Sequence, residues 1–279
     1  MKKLIYFILS GFLITCFSSC ELFKLDNFDQ PDQTLWGEVI DKATGKRVLT
    51  DQGSEGIRIR LYERSWGENP DPFDFYCKKE GEFQYTKLFA GTYEIQVDGP
   101  FIPLLRRYPA GSGLQDVNEY QTVDIKGGTT KVKFEVEPFL NVEWVGEPKE
   151  LTGAQKGKIQ CSFKVTRGVS EQIFRDKIQP MSGWNNNFLE VRDIRVFVSE
   201  SASVGYRDGR DTPYQVTESF TGNGFETKYG FGNTITIITN GTIPIGHTIF
   251  VRIGSSIRYT TLSLQRWNYN EAKRIDISR

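Results

Sequence analysis

The chain holds a single histidine, His247 in "IPIGHTIFVRIG", so any Ser-His-Asp relay would have to run through it. It stands at the entry to a strand pattern, where a surface turn residue accounts for it, and no nucleophile elbow, H-E-x-x-H or Walker loop accompanies it. Glycoside hydrolysis needs only two carboxylates about 5 to 10 Å apart. With 35 acidic residues some pair always meets that condition, which is permission rather than signal. "DNFDQPD" clusters Asp26, Asn27, Asp29 and Asp32, oxygen ligands that a hard cation would accept. It lacks EF-hand spacing and its glycine, and a solvated tether with turn-capping side chains explains it better. The chain therefore reads as non-catalytic, with no cofactor and no metal expected.

Binding chemistry is better represented. Sugars are held by flat aromatic rings against their apolar faces, with amides, carboxylates and guanidinium groups reading the hydroxyls. Three loops carry such sets. "ERSWGENPDPFDFY" offers Trp66, Asn69, Asp71 and Phe73; "MSGWNNNF" offers Trp184 beside Asn185, Asn186 and Asn187; "GYRDGRDTPY" offers Tyr206, Arg207, Asp208, Arg210 and Tyr214. For each ring, packing against its own domain or a domain junction is the competing account. The set supports glycan binding as a class more than at any one residue. Trp36, Trp144 and Trp267 fall on strand patterns and are expected in the core.

The elements that must position these loops begin with a targeting segment. Lys2 and Lys3 precede an almost wholly apolar run, Leu4 to Phe17, too short for the roughly 20 residues of a membrane-spanning helix. It reads as a signal peptide over residues 1–19. Ser18 and Ser19 are small, and Cys20 after them resembles the lipidated cysteine of a bacterial lipoprotein, although Phe17 stands where leucine is commonest. That resemblance implies an outer-membrane bilayer as a partner, through acylated Cys20 and a tether over residues 20–33. Acids at Glu21, Asp26 and Asp29 loosely resemble a surface-export signal, so the cell surface is favoured over the periplasmic face.

Without residues 1–19 the chain has 33 basic against 35 acidic residues, a net of −2, so nothing marks a nucleic-acid partner. Of the remaining cysteines, Cys77 and Cys161, the second alternates with Ile159, Phe163 and Val165 and reads as a buried thiol. Glycines number 27 and aromatics make up 13%, both leaning towards β structure. "LWGEVIDKATGKRV" reads as strand, turn, strand; "GIRIRLYE", "GEFQYTKLFAGTYEIQVDG", "TVDI" and "KVKFEVEP" alternate with a period of two. A second set runs through "FLNVEWV", "KIQCSFKVTR", "FLEVRDIRVFVSE", "NTITIITN", "HTIFVRIGSS" and "RWNYNEAKRIDI". "SEQIFRDKIQ" is the one helix candidate, with Ser170 as N-cap. "RRYPAGSG" from Arg106 reads as a basic loop open to a protein partner.

The fold expected is all-β, two tandem β-sandwiches over residues 34–138 and 139–279. The first resembles carboxypeptidase-regulatory-like, transthyretin-like domains through Gly37-Glu38-Val39 with Asp41, Thr44-Gly45, Gly81-Glu82-Phe83, and Leu88 with Gly91-Thr92-Tyr93; the second resembles immunoglobulin-like or fibronectin-like sandwiches. Together with Cys20, "DNFDQPD", "VEPFLNV" and "VRIGSSI…RWNYN", the chain resembles a two-domain lipoprotein family of Bacteroides-type bacteria, of unknown function and often encoded beside glycan-uptake machinery. The resemblance implies a non-catalytic accessory of a starch-utilisation-type uptake system, binding oligosaccharide beside an outer-membrane transporter complex. The alternative is a structural or adhesive surface module that binds protein.

Overall fold

The computed structural model describes residues 29–65 and 67–278. Cys16, Cys20, Asp26 and Trp66 lie outside the described residues.

The first half forms nine strands: β1 (Gln33–Asp41), β2 (Arg58–Glu63), β3 (Phe73–Tyr76), β4 (Glu82–Leu88), β5 (Gly91–Asp98), β6 (Leu105–Arg106), β7 (Val117–Asn118), β8 (Gln121–Ile125) and β9 (Thr129–Val136). Sheet β4-β1-β9 faces sheet β3-β2-β5-β8, with β1 and β9 parallel and the other pairs antiparallel. Alternation builds the core between them. Leu35 and Val39 of β1, Phe134 and Val136 of β9, Ile59 and Leu61 of β2, and Ile95 and Val97 of β5 all turn into one buried cluster. Gly37 is required inside β1 by its partner Phe83: a Cβ there would come within 2.2 Å of the Phe83 ring. The second strand expected in "GKRV" shrinks to a single bridge, Ile40 to Arg47. Asp41 closes the turn through the Ala43 N–H (2.9 Å) and the Thr44 hydroxyl (2.8 Å), Gly45 takes φ +70°, and the chain then departs toward the other half.

The second half contributes β10 (Leu140–Trp144), β11 (Lys149–Glu150), β12 (Ile159–Arg167), β13 (Val191–Ser199), β14 (Val216–Ser219), β15 (Ile235–Ile238), β16 (Thr248–Ile257), β17 (Asn268–Tyr269) and β18 (Lys273–Asp276). In one sheet β12 pairs with β10, β11 and β15; in the other the order is β14-β13-β16-β17, with β18 also on β16. Their facing sides share a core that includes Val142, Phe163, Val165, Val196, Val251 and Ile253. Helix α1 (Glu171–Ile178) starts where expected, the Ser170 hydroxyl accepting the Ile173 N–H at 3.2 Å. A second short helix, α2 (Gly224–Lys228), buries Phe225 and was not foreseen.

The strand β16 is buried along nearly its whole length. Ile249, Val251 and Ile253 face the second sandwich's own core, while Arg252 and Gly254 face outward, where Phe197, Val204, Trp267 and Tyr269 form a third cluster and Leu49 of the first half packs against it. The first sandwich thus docks by its loops onto the outer side of the second sandwich's five-stranded sheet.

Candidate functional site

That docking leaves a cleft of about 440 Å³ between the sandwiches. Clefts at domain junctions are favoured ligand sites because two independent surfaces converge on them. One wall is the end of β1 and its turn, bringing Asp41, Thr44, Lys46 and Arg47. The other is β10 with the segment after Trp267, bringing Asn141, Trp144, Asn268 and Asn270.

The junction beneath it is built from buried polar groups. The Arg252 guanidinium, 1% exposed, donates to the carbonyls of Asn270 (2.8 Å), Thr50 (2.9 Å), Lys79 (3.3 Å) and Val204 (3.4 Å), and lies 4.3 Å from the Tyr269 ring centre. Thr50 and Lys79 belong to the first sandwich. Arg266 likewise crosses over, donating to the carbonyls of Ser54 and Gly56. Asp51, buried on the first side, accepts from the Tyr269 hydroxyl (3.0 Å), the Arg207 N–H (3.1 Å) and the Gln52 N–H (2.8 Å). Burial raises its carboxyl above the ordinary value despite these donors and Arg252. Burial, with Asp51 beside it, likewise lifts the Tyr269 phenol far above its usual range.

On the cleft walls, side chains are held in fixed orientation. The Trp144 indole N–H donates to the Glu271 carbonyl at 2.8 Å, which fixes the ring at the end of an edge strand. Asn268 has a partner at each amide atom, accepting from the Leu140 N–H (3.3 Å) and donating to the Pro100 carbonyl (3.1 Å). Asn270 does not. Its oxygen accepts the Ile253 N–H at 2.8 Å, but its buried Nδ2 has no partner among the described residues, although only 3% of the residue is exposed. A buried amide without an acceptor is costly, and such groups call for a bound water or ligand. Charges around the cleft nearly balance: Lys46 and Arg47 against Asp41, Glu143 and Glu271. Asp41 spends both oxygens on its own turn, and Arg47 is held by Glu38 (2.9 Å) and Glu82 (3.2 Å). A ring platform, amides and balanced charge suit an uncharged polyhydroxyl ligand.

The residues singled out from the sequence fall elsewhere and in three separate places. Asn69 and Asp71 lie in the exposed segment before β3, and Asn69 edges a groove on the first sandwich. Trp184 is half-buried on the second sandwich's core, edge-on to Phe188 (5.7 Å), under the Arg175 guanidinium (5.5 Å), with its N–H given to the Asn186 side chain at 2.9 Å. It is packed rather than presented. Tyr206 stacks on Trp267 at 5.8 Å, and the Arg207 backbone binds Asp51, so this pair serves the junction. His247 is exposed, its Nδ1 2.7 Å from Glu200. Trp36 corrects the expectation of a core role, being half-buried beneath Arg47 (5.9 Å) and Lys131 (6.0 Å); Trp144 packs half-buried against the second core as expected, and also lines the cleft. Trp267 is buried as expected, but just before β17 rather than on a strand. The amides Asn268 and Asn270 were missed. Their alternation with aromatics in "WNYN" was the available signal, since a period of two sets both amides on one side.

Comparison with known proteins places this architecture. A DUF3823 family protein from Bacteroides uniformis is 48% identical, with a TM-score of 0.80, over 88% of this chain and 100% of its own. The chain belongs to the DUF3823 family. The model of that family's N-terminal domain, described as a protein of unknown function, matches residues 33–137. A DUF3823 family protein from Parabacteroides merdae shares the fold at 17% identity and a TM-score of 0.56, over 89% of this chain and 100% of its own. So does a Bacteroides uniformis protein described as a candidate carbohydrate binder, at 18% identity and a TM-score of 0.59, over 88% and 99%. None of the curated proteins matches the chain.

Proposed function

We propose that this chain is a non-catalytic, glycan-binding accessory of the outer membrane, holding a neutral oligosaccharide in the cleft between its sandwiches. The observation that carries the reading is the fixed Trp144 ring beside the unsatisfied Asn270 amide in one cleft. The carbohydrate-binding description of one distant structural relative agrees with it. Cys20 supplies the anchor: each buried methylene contributes about 0.8 kcal/mol, so two or more acyl chains hold the protein at the bilayer. From there, residues 20–33 tether it beside a transporter of the starch-utilisation type.

Native gels containing a panel of neutral plant, host and microbial polysaccharides test the cleft. Retardation on at least one glycan is expected, abolished in Trp144→Ala and weakened in Asn141→Ala, but kept in Trp184→Ala. Retardation that survives Trp144→Ala overturns the cleft assignment; no retardation on any glycan overturns the glycan reading. Incorporation of radiolabelled palmitate, lost in Cys20→Ala, tests the anchor.

A further inference from the structure

The groove edged by Asn69 is a second, chemically different site. Its floor is the outer face of β2 and β5, where Tyr62 stands opposite Glu94 and Arg60 opposite Gln96. One wall is Arg64 with Asn69 and Pro70, the other the β6–β7 hairpin, which pairs Leu105 with Asn118. That hairpin is fixed from beneath. Arg106 is buried and donates to the Pro103 carbonyl (2.6 Å) and the Glu119 carboxylate (2.8 Å). Its neighbour Arg107, just past the end of β6, lines the groove and is exposed.

The charges decide the ligand class. Glu94 is already engaged by Arg64 (2.8 Å) and by the Gln96 amide (2.7 Å), and Arg64 also donates to the Glu68 carbonyl (2.8 Å). Among the described residues no carboxylate pairs with Arg107. The groove therefore carries one uncompensated guanidinium over a floor that still offers carboxylate and amide oxygens. A bare inorganic anion would gain from Arg107 but meet Glu94 without a proton to give it. A neutral sugar would satisfy the floor and could accept from Arg107 through a hydroxyl, but would leave its charge uncompensated. A saccharide bearing both hydroxyl donors and a carboxylate uses every group. Tyr120 adds ring surface and makes no side-chain hydrogen bond to another described residue, while the Tyr62 ring is already covered by the Arg64 guanidinium at 5.1 Å. We propose that this groove binds a uronate-containing oligosaccharide, its carboxylate on Arg107 and its hydroxyls on Glu94 and Gln96.

This site is independent of the cleft: its ligand is acidic, and its residues share nothing with Trp144. Isothermal titration of the full chain in detergent with trigalacturonate and with its neutral methyl ester tests it. We expect binding of the acid, a loss of about ten- to a hundred-fold in Arg107→Ala, as a charged hydrogen bond requires, and a smaller loss in Arg107→Lys. The methyl ester should bind weakly and ignore Arg107→Ala, and Trp144→Ala should leave the acid's affinity unchanged. Equal affinity for acid and ester, affinity unmoved by Arg107→Ala, or no heat with either probe overturns the proposal. Loss of acid binding in Trp144→Ala alone would move the acidic ligand to the cleft and overturn it equally.

Discussion

Replacing Arg252 with methionine tests whether the junction is held by the buried guanidinium. Four carbonyls lie within its reach, but they do not count equally. The Lys79 carbonyl keeps another donor, the Thr50 N–H at 3.0 Å. The Val204 carbonyl, at 3.4 Å, is a long partner. Removal of the guanidinium thus strands chiefly the carbonyls of Thr50 and Asn270, bonded at 2.9 and 2.8 Å, one on each sandwich. Hydrogen bonds to a charged group contribute about 1.5–3 kcal/mol each, and Asp51 loses its nearest buried positive charge. Methionine, unbranched and apolar, recovers part of this by filling the space. The net expectation is a destabilisation of about 3–5 kcal/mol, the range found when one member of a buried charged network is removed. Urea unfolding followed by intrinsic fluorescence reads it, since buried Trp267 lies in the cluster against which this interface packs. The matched control is Arg210→Met: that guanidinium also sits over an aromatic ring, Tyr206 at 5.2 Å, but is exposed, and should change stability by no more than about 0.5 kcal/mol. An Arg252→Met variant within about 1 kcal/mol of wild type would refute the account of the junction.

Three further outcomes are expected. Gly254→Ala should cost about 1–3 kcal/mol, because the new Cβ would lie 2.9 Å from both the Phe197 and Tyr269 rings and 3.2 Å from Trp267; a denaturation midpoint equal to wild type would show that these rings are free to move. Asp51→Asn should tilt the pH dependence: burial raises the folded carboxyl above its ordinary 3.8, so this group's stabilisation is complete below that value and is lost as pH rises through the folded pKa. Wild type should therefore lose stability relative to Asp51→Asn from about pH 4 upward, and a difference that stays flat between pH 3 and 7 contradicts it. Cys77 and Cys161, both unpaired and buried, have thiols pushed up by burial, Cys161 to about 12, so neither should be alkylated by iodoacetamide at pH 8 before urea is added; prompt labelling of either argues against its placement.

Much of the strand pattern was legible because each half-buried strand alternates. "GIRIRLYE" became β2 with Ile59 and Leu61 inward, and the Cys161 repeat became β12. Short elements were not legible. The strand β3 hid in a loop-like run because it is a four-residue edge strand that stays largely exposed, tied down by ring contacts from Phe73 to Tyr85 at 4.7 Å and from Phe75 to Phe83 at 5.9 Å. The "RRYPAGSG" run, read as a flexible basic loop, begins in the β6 arm of a hairpin, because Arg106 is a buried anchor that composition alone presents as surface charge. Trp184 illustrates the converse. A ring between polar neighbours, such as Trp184 among asparagines, looks presented to solvent, yet its neighbours can bond its N–H and a distant arginine can cover its face.

The cleft itself could not be read from either half, because it exists only where their surfaces meet. What the sequence did contain was its cause. In "TIFVRIGSSI" the outward positions of β16 include Phe250, Arg252 and Gly254 rather than a run of solvated polar side chains. Gly254 leaves room for Phe197, Tyr269 and Trp267 to close over the sheet, and Arg252 then reaches across that surface to carbonyls of the first sandwich. A sheet whose outer face carries a glycine under aromatic rings and a cation with no acidic partner beside it is built to be covered. Once the cover is the first sandwich, the end of β1 comes to stand opposite the free edge of β10, and Trp144 turns from a strand-terminal residue into part of the cleft wall. Rigidity at the junction and the recognition proposed for the cleft would then be one property, since side chains that arrive already oriented lose less freedom when a ligand binds.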